Sequence, residues 1–540
     1  MSIDLATASI AICSWENPWA RAGGLFAVVR EYARYVREEQ RNVFVLTPLH
    51  ALGGDPVGED IAIEVPLGGA RYRAVVRRLS HSGVDWFAIR ADSFFQADGG
   101  RSRTSPYSYS GDSPDPDESQ LLRDSLFFSR AVPIVLEALG QDNMLVHLQD
   151  WQTAPAVISI KDQLEQNSDR TDGCLKNAAV VLTMHNPYDH AFSKEAWSCL
   201  TSRPFPEDRI QTVYRRTLGE LDAPPTTVSR EFAIDLQRDD LQTLYFANQL
   251  QPIFEKTGVI GVDNGPFEEV RNPFPDGDFL ETKQRRRNTM LSLLEEFQEN
   301  ESRAVGRLAG SDGGPLSSLS DHVPFFMMAG RLDQRQKGFD VLSQAIREYL
   351  GPRQQDGRFL IATDPGDAPA SFLEDLYQLA EEFPGRVLVC AFRMQKAYLE
   401  CQAGATFSVW PSLYEPFGGV SEYFLKGTPA VARRTGGLRQ QVFESADGES
   451  TGVTYDTPGS RNREQWEAVM DAPSPRDRQS EPLYQEHVVG LTEALIRATS
   501  VFDDSAAYER MLGNLFPMCQ QFSWERVWRE YSEVYEIASR

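Results

Sequence analysis

The stretch FFMMAGRLDQRQKGFDVLSQAI, residues 325–346, is the clearest indication of the fold. It starts with a short apolar run, as in a strand buried on both faces of a parallel sheet, and ends with the apolar spacing of an amphipathic helix. Arg331 and Lys337 lie between these two parts, after the carboxyl end of the strand, where open α/β sheets bind ligands. The stretch therefore predicts a strand, a phosphate-binding loop and a helix, although two solvated surface charges would fit the spacing equally well.

Similar apolar runs, separated by helical stretches, continue along the chain in both directions. They are short and rich in β-branched residues, which is typical of buried parallel strands. The runs are residues 8–13, 43–47, 144–148 and 179–185 in the first half, and 325–330, 358–363, 387–392 and 429–433 in the second. This pattern predicts a doubly wound α/β fold.

The length of 540 residues exceeds what one hydrophobic core usually organises, so two domains are expected. The segment RNPFPDGDF, residues 271–279, contains prolines and a glycine that suit a hinge. We therefore predict an N-terminal domain over residues 1–270, a C-terminal domain over 271–515 and a terminal helix within 516–540. The helix should begin at Ser523 as N-cap. Its predicted apolar face consists of Trp524, Val527, Trp528, Tyr531, Val534 and Tyr535.

Three polar stretches, residues 98–119, 163–173 and 300–321, have too little apolar content to pack alone and are predicted to be loops or mobile insertions. The net charge of −24 argues against nucleic acid as a partner. The first fifteen residues lack a signal-peptide pattern, and no apolar run is long enough to span a membrane, so a cytoplasmic protein is expected. Scattered cysteines and histidines without ligand spacing predict no metal site.

In the first half, Gly23 and Gly24 follow a strand and precede a helix, so their backbone amides suit a phosphate, although a simple tight turn is the commoner explanation. Asp150 and His185 follow two further strands. At such positions a histidine is usually a satisfied core residue, but the carboxyl end of a parallel strand favours function.

In the second half, Glu415 lies in a loop after a strand, flanked by proline and glycines, and Thr435, Gly436 and Gly437 form another turn that exposes the backbone. A solvated surface acid is the alternative interpretation of Glu415. Both loops are candidates for contact with a phosphate or a sugar.

Taken in chain order, these segments resemble the glycogen and starch synthase family over about residues 10–540, apart from the polar stretches. Each motif is modest, but together and in order they are specific. The motifs are RAGGL (21–25), QDWQT (149–153), TMHN (183–186), TVS (227–229), GVDNGPFEEVRNPF (261–274), GRLDQRQKG (330–338), PSLYEPFGG (411–419), RRTGGL (433–438) and FSW (522–524).

The resemblance implies a GT-B fold, in which two Rossmann-like doubly wound domains face each other across a cleft and the C-terminal helix crosses back to the N-terminal domain. It implies a retaining, metal-independent hexosyltransferase that moves glucose from ADP-glucose or UDP-glucose to an α-1,4-glucan. The nucleotide-sugar donor and the saccharide acceptor are then its partners, and no cofactor is expected. The oligomeric state is not readable from the sequence.

The resemblance also assigns roles to residues. Arg331 and Lys337 would stabilise the departing diphosphate, Glu415 would meet sugar hydroxyls, and His185 would meet the primary hydroxyl of the sugar. The donor-binding set is Arg21, Gly23, Gly24, Asn264, Phe417, Gly418, Thr435, Gly436 and Gly437. The acceptor or cleft set is Asp150, Trp151, Asn186 and Glu422.

Several positions depart from the family pattern: Arg21 replaces a lysine, Ala27 an aspartate, Gln152 a histidine and Phe417 a cysteine. In related retaining GT-B enzymes a second glutamate follows the first by eight positions, whereas Glu422 follows Glu415 by seven. These changes keep two other hypotheses open. One is transfer to a small or other saccharide acceptor, and the other is a non-catalytic protein that binds glucan or nucleotide.

Overall fold

The chain divides into two compact units. Unit 1 comprises Met1–Arg238, Phe246–Phe267 and Ser523–Arg540, and unit 2 comprises Asp239–Tyr245 and Glu268–Phe522. The structure is a computed structural model. It describes residues 3–50, 57–95, 106–107, 119–168, 175–206, 211–308, 323–366, 368–445, 447–457 and 461–540.

Within its described residues, unit 1 is built on a nine-stranded sheet with the order β3-β4-β5-β2-β1-β6-β7-β8-β9. The strands from β5 to β9 in this order are parallel, while β3, β4 and β5 form an antiparallel meander. The strands are β1 (Ser9–Cys13), β2 (Val43–Pro48), β3 (Ile61–Leu67), β4 (Ala70–His81), β5 (Val84–Arg90), β6 (Asn143–Gln149), β7 (Asn177–Met184), β8 (Thr226–Thr227) and β9 (Ile260–Gly261).

The helices of unit 1 connect these parallel strands. They are α1 (Leu25–Glu38), α2 (Gln120–Ala138), α3 (Ala156–Gln166), α4 (Lys194–Leu200), α5 (Val213–Thr217), α6 (Arg230–Arg238) and α7 (Gln251–Thr257). Short 3₁₀ turns cover Leu218–Glu220 and Asn248–Leu250, and a π-helical turn at Gln242–Phe246 lies mostly in the segment Asp239–Tyr245 of unit 2. The apolar residues Leu25, Val28, Val29, Tyr32 and Val36 of α1 are buried, which explains how α1 packs on the sheet.

Unit 2 contains, among its described residues, a seven-stranded sheet with the order β10-β13-β12-β11-β14-β15-β16. Only β10 is antiparallel to its neighbour. The strands are β10 (Ala304–Leu308), β11 (Phe325–Arg331), β12 (Arg358–Asp364), β13 (Arg386–Cys390), β14 (Phe407–Trp410), β15 (Ala430–Arg433) and β16 (Gly452–Tyr455). The six parallel strands follow the Rossmann order, in which the third to first strands lie beside the fourth to sixth.

The helices of unit 2 flank this sheet. They are α8 (Phe279–Asn300), α9 (Phe339–Leu350), α10 (Ala370–Glu382), α11 (Tyr398–Gly404), α12 (Val420–Phe424), α13 (Gly436–Arg439), α14 (Arg463–Met470), α15 (Pro475–Arg478), α16 (Pro482–Asp503) and α17 (Ser505–Cys519). No helix among the described residues is long and apolar enough to cross a membrane. The prediction of two doubly wound α/β folds is confirmed.

The polar stretches are only partly loops. Residues 163–166 form the last turn of helix α3. This turn can be largely polar because the buried residues of the helix all precede it. Ala304–Leu308 form edge strand β10, which has one neighbour and therefore needs few apolar residues. The loop prediction was wrong for these two segments. Most of the stretch 98–119, and residues 169–173 and 309–321, lie outside the described residues.

The terminal helix α18 (Trp524–Ala538) belongs to unit 1. The Ser523 hydroxyl accepts the amide hydrogen of Arg526 at 3.2 Å, so the predicted N-cap is present. The indole nitrogen of Trp524 donates to the Pro266 carbonyl at 2.8 Å. Trp528 is partly exposed, and the buried side chains are Trp524, Val527, Tyr531, Val534, Tyr535 and Ala538.

Two tyrosines of α18 enter a buried hydrogen-bond network with the sheet. The Tyr535 hydroxyl lies 2.9 Å from His147 Nδ1, and the Tyr531 hydroxyl lies 2.9 Å from Thr183 Oγ1. The other ring nitrogen of His147 lies 2.7 Å from the same Thr183 oxygen. The terminal helix thus packs against the sheet and is also hydrogen-bonded to side chains of β6 and β7.

Candidate active site

In unit 2 the strand order reverses between β11 and β14, and the crevice at such a reversal is where open α/β sheets bind ligands. The loop after β11 carries Arg331 and Lys337, and the loop after β14 carries Glu415. The sheet order therefore brings together the three unit 2 residues that the sequence assigned to catalysis.

Lys337 and Glu415 form a close ion pair. Lys337 Nζ donates to Glu415 Oε2 at 2.7 Å, and the Ser412 hydroxyl donates to the same oxygen at 3.0 Å. Glu415 is only 5% exposed, so its charge needs such partners to remain buried. The ion pair presents one cation and one carboxylate side by side at the end of the sheet.

Arg331, in the same loop as Lys337, is largely exposed. Its side chain is 53% exposed, and its ion-pair partner is Asp333 at 3.9 Å, a separation that allows only weak attraction in water. The guanidinium can therefore turn toward an anionic ligand with little loss of existing contacts.

The predicted glycine turns pack tightly against the Glu415 loop. The Gly437 amide donates to the Glu415 carbonyl at 2.9 Å, and a Cβ added at Gly437 would lie 2.3 Å from the Phe417 oxygen. Gly418 has a φ of +86°, which favours glycine. Gln441 Nε2 donates to the Phe417 carbonyl at 2.7 Å and fixes the same turn. Only a residue without a side chain at position 437 permits this approach.

Thr435 and Gly436 lie at the start of α13, immediately before Gly437. Glu422 lies on α12, and its carboxylate is close to Gly419, where an added Cβ would be 2.9 Å from Oε2. Glu415, Phe417, Gly418, Glu422, Thr435, Gly436 and Gly437 thus cluster around the two loops that follow β14 and β15, while Arg331 and Lys337 belong to the loop after β11.

In unit 1 the strand order reverses between β1 and β6. The loop after β1 carries Arg21, Gly23 and Gly24, and Asp150 and Trp151 follow β6. Asn264 follows β9 at the far edge of the sheet, so the fold does not bring it to this reversal.

The amide groups at the start of α1 are engaged by a carboxylate of the protein itself. Glu16 accepts from the Gly23 amide at 3.1 Å and from the Phe26 amide at 3.3 Å, and the Tyr107 hydroxyl also donates to it at 3.1 Å. Burial raises the pKa of Glu16 above its ordinary value, and these hydrogen bonds oppose the rise. Donor binding at Gly23 and Gly24 stays a prediction, and it would require a ligand to share or replace these bonds. Arg21 is exposed and does not take part in them.

Asp150 links the ends of β6 and β7. Its φ of +60° is left-handed, a conformation that aspartate tolerates better than most residues, and it turns the carboxylate toward the next strand. Oδ1 accepts the amide hydrogens of His185 at 2.6 Å and Asn186 at 3.4 Å. Burial raises the pKa of Asp150 to about 7 despite these bonds. Trp151 packs beside it, its ring centroid 5.0 Å from that of His190.

The raised pKa of Asp150 has a measurable consequence for stability. The folded protein holds a proton that the unfolded chain loses at about pH 4, so the free energy of unfolding falls as the pH rises to about 7. Asp150→Asn keeps the Oδ1 acceptor and removes the titration. We expect the variant to gain stability over the wild type between pH 4 and 8, by up to about 4 kcal/mol. Urea unfolding at several pH values would measure it, and a pH-independent difference would contradict the assignment.

Sequence reasoning missed several residues that hold this machinery in place. Glu16 and Ser412 lie close in sequence to predicted motifs, and the spacing of Ser412 and Glu415 was a usable signal. Arg433, which is buried and donates to the Leu413 carbonyl at 2.6 Å, gave no signal beyond its motif. In the described part of the chain, no three His, Cys, Asp or Glu side chains are grouped so that they could hold a metal ion.

Known proteins match both units of the chain. A family profile described as the starch synthase catalytic domain matches residues 9–248, and one described as glycosyl transferases group 1 matches residues 323–459. A glycogen synthase from Geotalea uraniireducens (strain Rf4) is 25% identical over 546 residues, which cover 98% of each chain. One from Alkaliphilus metalliredigens (strain QYMF) is 24% identical over 461 residues, 81% of this chain and 86% of the relative.

Among solved structures, the catalytic domain of starch synthase IV from Arabidopsis thaliana, bound to ADP and acarbose, is similar with a TM-score of 0.72. The sequence identity is 19%, and the match covers 99% of this chain and 100% of that one. This likeness confirms the GT-B fold.

The family profiles and the fold define a glycosyltransferase of the GT-B class, whose unit 2 holds the paired Lys337 and Glu415 at its strand-order reversal. The starch synthase profile and a glycogen synthase that matches 98% of the chain narrow this class to one family. The protein belongs to the glycogen and starch synthase family as a divergent member, and the predicted family is thus confirmed.

Proposed function

We propose that this protein transfers glucose from ADP-glucose or UDP-glucose to an α-1,4-glucan, with retention of anomeric configuration and without a metal ion. The observation that carries this proposal is the ion pair between half-buried Lys337 and buried Glu415 at the strand-order reversal of unit 2. The pair offers a cation for a diphosphate and a carboxylate for sugar hydroxyls within a few ångströms of each other.

The donor's diphosphate is the leaving group, and its negative charge grows as the bond to glucose breaks. Lys337 is half-buried and held by Glu415, while Arg331 is exposed and able to form two parallel hydrogen bonds to phosphate oxygens. Cations placed in advance where charge develops lower the barrier electrostatically. In this proposal they do the work that a divalent metal does in other transferases.

The chemical step follows from these positions. The bond between the anomeric carbon and the diphosphate oxygen breaks, and its electron pair leaves with the diphosphate. A hydroxyl of the acceptor attacks the oxocarbenium-like carbon from the same face, and its proton passes to the leaving diphosphate oxygen. The Glu415 carboxylate, held by Lys337 and Ser412, accepts hydrogen bonds from the glucose hydroxyls and fixes the ring meanwhile.

The acceptor side of the proposal depends on unit 1. Asp150 and Trp151 lie at its strand-order reversal, and a carboxyl next to an indole suits a saccharide, whose hydroxyls need acceptors and whose carbon face packs on aromatic rings. The glycogen synthases that match this chain over nearly its full length further support a glucan acceptor.

The test is a screen of donors against acceptors. Radiolabelled ADP-glucose and UDP-glucose are incubated with glycogen, with short maltooligosaccharides and with small acceptors, each with and without EDTA. We expect label to enter glucan, EDTA to leave the rate unchanged, and the new linkage to be cleaved by an α-specific glucosidase. Label found only in small acceptors would overturn the glucan proposal, and a β-linkage would overturn retention.

A further inference from the structure

The imidazole of His185 has a neighbour to which the sequence motifs assigned no role. His185 Nε2 lies 2.6 Å from Oε1 of Gln149, the last residue of the neighbouring strand β6. Both side chains are buried, with exposures of 7% for His185 and 3% for Gln149. Within the described ranges, Gln149 is the only hydrogen-bond partner of the ring, which leaves Nδ1 as the nitrogen that can meet a ligand.

The His185 ring is neutral at ordinary pH, because burial lowers its pKa to about 3. A neutral imidazole carries one N–H, and the partner of one nitrogen decides which nitrogen carries it. The titratable groups near the ring are His147 on β6, whose pKa burial also lowers to about 3, and Asp150, which binds the His185 backbone amide and not the ring. Neither group contacts the ring, so the amide of Gln149 sets the position of the proton.

We propose that Gln149 is a positioning residue that fixes the Nε2–H tautomer of His185, so that Nδ1 can only accept a hydrogen bond. The amide oxygen of Gln149 faces Nε2 and has no proton to give. Nδ1 then selects a substrate group that donates, such as a sugar hydroxyl. The claim about the tautomer stands alone, whereas the claim about the sugar rests on the proposed function.

This arrangement makes Gln149 a determinant of specificity. A buried nitrogen that accepts a hydrogen bond from a substrate hydroxyl is left unpaired when an analogue without that hydroxyl binds. Such a site therefore strongly favours the substrate over the analogue. The resemblance to the glycogen and starch synthases implies that this hydroxyl is the primary hydroxyl of the transferred glucose, so a donor carrying 6-deoxyglucose should be a poor substrate of the wild type.

His147 provides an internal control. It lies two residues before Gln149 on the same strand, and its two ring nitrogens already have partners, Tyr535 and Thr183. A change at Gln149 that acts only through a general disturbance of β6 would alter His147 as well as His185.

The first test uses full-length protein with ¹⁵N-labelled histidine, in which the His185 signals are assigned by comparison with His185→Gln. We expect Nε2 to be protonated and Nδ1 to be bare. Gln149→Leu should convert His185 to a mixture of both tautomers and leave His147 unchanged. If Gln149→Leu folds poorly, Gln149→Glu serves in its place. It keeps an acceptor at this position and should therefore retain the proton on Nε2 of His185. A proton on Nδ1 in the wild type, or an unchanged His185 spectrum in Gln149→Leu, would overturn the proposal.

The second test is kinetic. Gln149→Leu should lower kcat/KM with the glucose donor in proportion to the Nε2–H tautomer that is lost, about twofold for an equal mixture, and should hardly change it with the 6-deoxyglucose donor, because the interaction is already absent there. Equal losses with both donors would overturn the role toward the sugar. If the wild type transfers no sugar at all, the proposed function fails while the spectrum still decides the tautomer.

Discussion

Lys337→Ala is expected to lower kcat about a thousandfold while the protein remains folded, because a preorganised charge at a developing anion is worth this much. Lys337 is the cation closest to the Glu415 carboxylate, and its 2.7 Å contact holds both groups at the end of β11 and β14. Steady-state rates with the donor that proves active measure the loss. The exposed residue Lys256 offers a matched control, and Lys256→Ala should keep wild-type rates.

Loss of Lys337 also leaves the Glu415 charge buried without its cation, which costs about 3–5 kcal/mol of stability. The double variant Lys337→Ala with Glu415→Gln removes that charge and should recover most of the stability without recovering activity. A folded Lys337→Ala protein that works within tenfold of the wild type would rule out this role for Lys337. Recovery of activity in the double variant would show that the defect was one of folding.

The sequence predicted which residues meet at the ends of the sheets, because a residue that follows a parallel strand lies at the edge where ligands bind. Arg331, Lys337, Glu415, Asp150 and His185 each follow an apolar run, and the carboxyl ends of parallel strands meet at one edge. The Rossmann order of the sheet in unit 2 then brings the loops after β11 and β14 together. Family motifs supplied the roles, which the pattern of strands alone left open.

Other features had no comparable signal. Glu16 and Gln149 act through contacts with residues far along the chain or on a neighbouring strand, and a polar residue after a strand does not reveal its partner. The antiparallel strands β3 to β5 have exposed alternating positions and no long apolar run, so strand detection by burial missed them. Edge strand β10 was not predicted either, because it also has exposed positions and no long apolar run.

Removal of residues 523–540 is expected to unfold unit 1. Six side chains of α18 are buried there, and the five that are larger than alanine contribute about 1.5–3 kcal/mol each, a sum comparable with the whole stability of a domain. The deletion also leaves His147 and Thr183 without the tyrosine hydroxyls that bind them. Hydrogen exchange of the β6 and β7 amides, followed by mass spectrometry, would report the loss locally.

Point variants keep this expectation testable if the truncated chain is insoluble. Tyr531→Ala should cost about 3–5 kcal/mol because it opens a cavity in the core, and Tyr531→Phe about 0.5–1.5 kcal/mol because Thr183 loses one hydrogen bond and keeps those to His147 and Thr226. Glu533→Ala, on the exposed face of the same helix, should change the stability by less than about 0.5 kcal/mol. Because Thr183 pairs in register with Gln149, the Tyr531 variants should also speed exchange at the strand end that holds His185. Unchanged exchange in β6 and β7 after removal of the whole helix would mean that the sheet of unit 1 folds without it.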